Sequence, residues 1–193
     1  MGKAWKHFRT ITYHKFLVAK GRFQVGLYRQ GILHDLSKYS PTEFMAGVRY
    51  YQGTRSPNNA EREEKGYSAA WMHHQGRNRH HYEYWIDYSL GDSHGVRQPV
   101  PMPDRYIAEM IVDRIAACRV YQGEAYTDAS PLAYYHRGTV RAPLHPDTRE
   151  KLERMLKLLA EKGEKETYAC IRRELVSKKR KKDDGKSAGE KKK

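Results

Sequence analysis

An aspartate stands in a run of apolar residues at Gly31-Ile32-Leu33-His34-Asp35-Leu36. Burying a carboxylate without a partner is costly. Asp35 therefore demands a cation, a set of hydrogen bonds or a metal in whatever interior this segment joins. The rest of the chain says what kind of interior that is. Apolar residues recur at helical spacing, sustained strand alternation is absent, and no repeat at solenoid periods is visible.

The helical signals can be followed along the chain. A first helix is expected from about Ala4 to Gly21, with Trp5, Phe8, Ile11, Thr12 and Phe16 as its apolar side. A second covers Arg22 to Leu36. Ser40-Pro41-Thr42-Glu43 carries the clearest start, with a capping Ser, Pro at the first helical position and Glu at the third. Glu43 is read there as a cap, with proton donation as a lesser role. Gln52 to Asn59 reads as a loop, and Ser68 as the cap of a helix holding Trp71, Met72, His73 and His74. Asp87 to Pro103, rich in Gly and Pro, reads as a long loop. Further helices are expected from Asp104 to Tyr121, Asp147 to Glu161 and Glu164 to Val176. The fold class is all-α, a single bundle of six to eight helices over residues 1–176. Residues 177–193 form a Lys-rich tail expected to be disordered.

Ionisable residues on these helices suggest the chemistry. His14 lies three after Ile11 and four before Val18, so its imidazole shares their side of the helix. Asp113 stands in Ile111-Val112-Asp113-Arg114-Ile115-Ala116-Ala117, where the alanines one turn on permit a neighbouring helix to approach. Four of the ten histidines fall in one stretch, His73-His74 and His80-His81. Inward imidazoles with inward carboxylates make a mixed nitrogen–oxygen ligand set for a divalent metal. Taken singly, each has a plainer reading: a hydrogen-bonded core histidine, a salt-bridged aspartate, a surface loop. Together they occur in the order His, His-Asp, Asp on three separate helices.

That order, and the run His34-Asp35-Leu36-Ser37-Lys38, resembles the HD superfamily of metal-dependent phosphohydrolases over roughly residues 8 to 122. The resemblance implies a helical bundle of the HD-domain type, with His14, His34, Asp35 and Asp113 as ligands of one divalent ion. Extra imidazoles match HD branches that hold a second ion. His74, His80 and His81 are the candidates, with His73 as a competitor, and Asp35 would bridge. Manganese, iron, magnesium, cobalt, nickel and zinc are not distinguished. A bound ion lowers the pKa of coordinated water. Lys38, one turn beyond Asp35, would contact phosphate as a point charge. The Gly-Tyr-Pro extension of the cyclic-dinucleotide branch is missing, as are the paired acids of the alarmone hydrolases, so neither substrate carries over. The pattern His74-x-x-x-Asn78-x-His80-His81, followed by Glu83-Tyr84, also resembles a small bacterial family known only as a domain of unknown function.

The leading expectation is a phosphohydrolase acting on a nucleotide or another small phosphorylated metabolite, which suits the formal net charge of +14. A di-iron oxygenase of the HD type uses a similar ligand set and is the first alternative. A non-enzymatic nucleic-acid-binding module is the second. It would rest on the tail, where nine Lys or Arg face three acids and non-specific polyanion contact is expected. Two cysteines and no apolar leader point to a cytoplasmic protein with reduced thiols. No stretch approaches a membrane span, and no membrane partner is expected.

Overall fold

A computed structural model describes residues 2–90, 95–138 and 142–177. The tail assignment for 178–193 lies outside the described residues, as does His94. Eight helices account for most of the described chain: α1 (Lys3–Val25), α2 (Tyr28–Leu33), α3 (Pro41–Arg49), α4 (Pro57–Lys65), α5 (Ala69–Gln75), α6 (Asp104–Gln122), α7 (Ser130–Gly138) and α8 (Pro146–Ile171). The fold is all-α, as the periodicity indicates. Part of the expected long loop is instead a small antiparallel hairpin, β1 (Ile86–Tyr88) on β2 (Arg97–Pro99). Three-residue strands are too short for alternation to register in a sequence. Two short helices were also missed. α4 begins inside the expected Gln52–Asn59 loop, with Pro57 at its first position, and α7 covers Ser130–Gly138.

α1, α6 and α8 pack against one another, and α3 ties α4 and α5 to α1. α6 is the central element. Ile107, Ala108, Met110, Ile111, Val112, Ile115 and Ala116 are all buried on it, so it is apolar almost all round. Glu109 and Asp113 interrupt that surface four residues apart, on one face. Leu152, Met155, Leu156 and Leu159 of α8 are fully buried against this core, and Gly163 at φ 79° kinks α8. The kink falls between the two helices expected at 147–161 and 164–176.

The inward side of α1 differs from the one expected. His7, Ile11, His14, Val18, Gly21, Arg22 and Val25 face in, while Trp5, Phe8 and Phe16 are 38–62% exposed. α1 has apolar residues on two sides, and periodicity cannot choose between them. Packing against α6 chooses, because Gly21 lets the two backbones close: a Cβ there would lie 2.6 Å from Val112 Cγ1. Gly21→Ala is expected to destabilise the fold by about 1–3 kcal/mol, as overpacked cores do. It should also loosen His14 relative to Asp113. Thermal or denaturant unfolding checks the first effect.

The segment around His34-Asp35 also departs from its expected form. A single helix over Arg22–Leu36 does not occur. α1 runs on to Val25 and ends at Gly26, which adopts φ 87° and donates its N–H back to the helix. α2 then ends at Leu33. His34 is extended (ψ 131°), Asp35 is left-handed (φ 51°), and a 3-10 turn follows over Leu36–Tyr39. In an unbroken helix, neighbouring residues point about 100° apart. The break allows both side chains to enter the same interior.

Candidate metal centre

His14 and Asp113 meet from α1 and α6, with Nε2 2.9 Å from Oδ1. His34 enters beside them, its Nε2 3.1 Å from Asp35 Oδ2 and 3.4 Å from Asp113 Oδ1. The other oxygen of Asp35, Oδ1, lies 3.5 Å from Nε2 of both His74 and His80. His81 completes that side, its Nε2 2.9 Å from His74 Nε2. Two four-residue groups result, His14-His34-Asp35-Asp113 and Asp35-His74-His80-His81, each with one atom per residue within 4.8 Å of all the others. Asp35 belongs to both, through different oxygens. His73 belongs to neither, and its Nδ1 bonds Glu43 Oε1 at 2.7 Å.

The spacing fits a metal. Ligand atoms about 2.1 Å from an ion sit roughly 2.9–3.4 Å apart at the edges of an octahedron or tetrahedron. The contacts above run from 2.9 to 3.5 Å, with His14 Nε2 to Asp35 Oδ2 wider at 3.9 Å. Satisfaction points the same way. Nε2 of His14, His34 and His80, Oδ1 of Asp35 and Oδ1 of Asp113 are buried without a well-formed hydrogen bond. Buried polar atoms rarely go unpaired, and these converge. A cation already sits at the rim: Lys38 Nζ is 2.6 Å from Asp35 Oδ2. Lys38 thus lies on the carboxylate rather than reaching free into the cleft.

A surrounding layer orients the rings, and the sequence reading missed most of it. Glu43 Oε2 lies 2.8 Å from His74 Nδ1 and accepts that proton, leaving Nε2 as a lone pair. The Ser40 hydroxyl does cap α3, but the carboxylate of Glu43 turns to the histidines instead of completing a capping box. Glu109 takes the corresponding place for His80, its Oε1 3.0 Å from Nδ1. Fully buried Arg22 pairs with Glu109 Oε1 at 2.7 Å and lies 2.5 Å from His34 Nδ1, while Gln30 donates to Glu109 Oε2. Helical spacing could have found two of these residues: Glu109 is one turn before Asp113, and Arg22 is two turns after His14.

Electrostatics follow from the geometry. Burial disfavours charge on Asp35 and Asp113, yet His34 and Lys38 around the first, and the close Nε2 atoms of His14 and His34 at the second, hold both carboxyls well below their usual range. Burial lowers His14 to about 4 and also lowers His80 and His81, so these rings are neutral at neutral pH. His34 differs. Burial lowers its pKa, but the charge of Asp35 and the close contacts of Nε2 with both aspartates outweigh that and raise it. The proton this favours sits on Nε2, between the aspartates. A metal taking Nε2 must displace it. If a divalent ion binds through this atom, its uptake near pH 7 should release a proton and its affinity should fall as pH falls. Calorimetry in buffers of different ionisation enthalpy reads the number directly.

Above the cluster opens a cleft of about 560 Å³, lined by His14, Lys38, Glu43, His74, His81 and Asp113 together with Arg55, Arg62, Arg114 and Arg137. His34, Asp35 and His80 are not among its lining residues and are almost fully buried.

The molecule is thus a helical protein built around a buried histidine–carboxylate cluster under a cationic cleft. The chain belongs to the Family of unknown function (DUF5662), whose model matches residues 3–158. Searches with the chain found no matching curated protein and no matching solved structure.

Proposed function

We propose that this protein is a metal-dependent phosphohydrolase of the HD type, acting on a nucleotide or another small phosphorylated metabolite. The observation that carries the reading is the placement of Asp35, whose two oxygens face two separate ligand groups. His14, His34, Asp35 and Asp113 would hold one divalent ion, and Asp35, His74, His80 and His81 a second. Bound there, the ions supply Lewis acidity and a lowered pKa for coordinated water. The chain supplies the rest. Glu43 and Glu109 fix ring tautomers, and burial of the cluster keeps bulk water away from its floor. Lys38, 28% exposed at the cleft, is placed to contact a phosphate oxygen once a metal replaces it on Asp35. Five cations against three carboxylates line the cleft, which favours an anionic guest. Its volume suits one of nucleotide size.

The second group, with three imidazoles to one carboxylate, would serve iron as well, and it keeps an HD-type di-iron oxygenase as the second reading. Metal identity separates the two. The first test is elemental analysis of protein purified without chelator, followed by a screen of phosphomonoesters with the metal found. Manganese, magnesium or cobalt with phosphate release supports hydrolysis. Two irons with oxygen consumption and no phosphate release would replace it. Lys38→Met is expected to keep or tighten metal binding, because a competing cation is gone. It should lower turnover by about 10²-fold, the usual cost of one charge-stabilising group. Lower metal content in Lys38→Met would contradict both parts.

A further inference from the structure

Among the described residues, the outward face of α1 is largely uncovered. Trp5, Phe8, Phe16 and Phe23 recur along one side of the helix, and each is at least 38% exposed. Trp5 stacks on Phe8, and Phe8 meets Tyr39 edge-on. The α2 segment extends the apolar surface. Lys15 reaches the carbonyls of Ile32 and His34, which holds α2 alongside α1, and Ile32, Leu33 and Leu36 are 52–62% exposed. An apolar surface of this kind on a soluble fold marks an interaction site.

Charge says what covers it. The first 34 residues hold seven Lys or Arg and no Asp or Glu. Lys15 is spent on the α2 carbonyls and Arg22 is buried. Lys3, Lys6, Arg9, Lys20 and Arg29 remain exposed around the stripe. A second copy presenting the same face would bring like charges together. An anionic lipid surface matches both features, with aromatic and aliphatic side chains entering the headgroup boundary and a basic flank holding acidic headgroups. Exposed Ile32, Leu33 and Leu36 favour acyl chains over stacked bases as the apolar partner. We propose that α1 and α2 form a peripheral docking face for anionic membranes, with the helix lying in the interface plane. The absence of a helix able to span a membrane, among the described residues, does not bear on attachment of this kind. The proposal is independent of the metal reading.

The experiment is flotation of the full chain with phosphatidylcholine vesicles, and with the same vesicles containing phosphatidylglycerol. The protein is expected to float with the second and not the first. Trp5→Ser with Phe16→Ser should reduce partitioning about tenfold or more, since each removes a large apolar side chain from the lipid contact. These positions are exposed, so an unchanged unfolding midpoint is expected alongside. Trp5→Phe keeps the apolar contact and supplies an independent reading: brominated lipids should quench the parent fluorescence more than that of Trp5→Phe. The proposal is overturned if the parent does not float. It is also overturned if the double-serine variant floats equally well while deletion of residues 178–193 abolishes binding, which would assign the affinity to the tail. Self-association or single-stranded DNA binding that disappears in the double-serine variant, without vesicle binding by the parent, would give the face to another partner.

Discussion

On the two-ion reading proposed above, Asp35→Asn is expected to abolish metal binding at both groups while leaving the fold intact. Each Asp35 oxygen faces a different ligand group, so one substitution weakens two sites. Asparagine isolates the charge. It tolerates the left-handed backbone at φ 51°, where alanine would add roughly 1–2 kcal/mol of strain. If the parent holds two ions per chain and hydrolyses phosphate esters as proposed, the variant should hold none and lose the activity. Substitutions on either side should be selective. Asp113→Asn is expected to lose the ion near His14 and keep the one near His81, and His81→Ala the reverse. Elemental analysis of dialysed protein beside circular dichroism reads all three. Retention of a full complement by Asp35→Asn would remove the bridging role and, with it, the argument for a two-ion centre.

Glu109→Leu should produce the largest loss of stability of any single change considered. The carboxylate accepts from Arg22 and Nδ1 of His80, both buried, and from half-buried Gln30. Burial alone would raise its pKa, yet the close approach of His34 and His80 and the Arg22 charge hold it far below the ordinary range. Removing it leaves a guanidinium with 0% exposure and no counter-charge of its own. Breaking a buried pair from one side costs about 3–5 kcal/mol. For a domain of this size that lowers the melting temperature by on the order of 10 °C. The double variant Arg22→Met/Glu109→Leu should recover much of the loss, because neither charge is then stranded. It should still bind metal poorly, since His34 and His80 lose the groups that orient them. Equal stability of single and double variants would show that the pair is not the source of the cost.

The pH dependence of Glu109 has a definite sign. A carboxyl depressed in the folded state contributes stability that is present above its unfolded pKa and lost as pH falls toward the folded value. Asp35 and Asp113 act in the same direction. Metal-free protein should therefore hold its stability at neutral pH and lose it on acidification below the ordinary carboxyl range.

Much of this molecule was legible in its sequence, for identifiable physical reasons. The Ser40-Pro41 start of α3 and the Ser68 cap of α5 depend on contacts within one helical turn, so a local reading finds them. The core side of α8 follows from its i, i+3, i+4, i+7 leucines and methionine. His14, His34, Asp35 and Asp113 stood out because polar residues set among apolar neighbours require partners, whereas His74, His80 and His81 stood out only as clustered imidazoles in a polar stretch and through the HD resemblance.

What the sequence could not decide depends on which faces meet. α1 carries apolar side chains on two sides, and only the close approach of α6 at Gly21 shows that the aromatic stripe points outward. His73 and His74 are adjacent and chemically identical. The helix points one toward Asp35, while the other bonds Glu43 from a partly exposed position. Glu43 reads as a cap because its cap position is local, and its histidine partners are 30 and 31 residues away. Arg22 and Glu109, 87 positions apart, read as a surface cation and a helix acid until the bundle closes and buries them against each other. Residue type and spacing set which side chains need a partner; tertiary packing selects the partner, because burial makes an unmet charge costly.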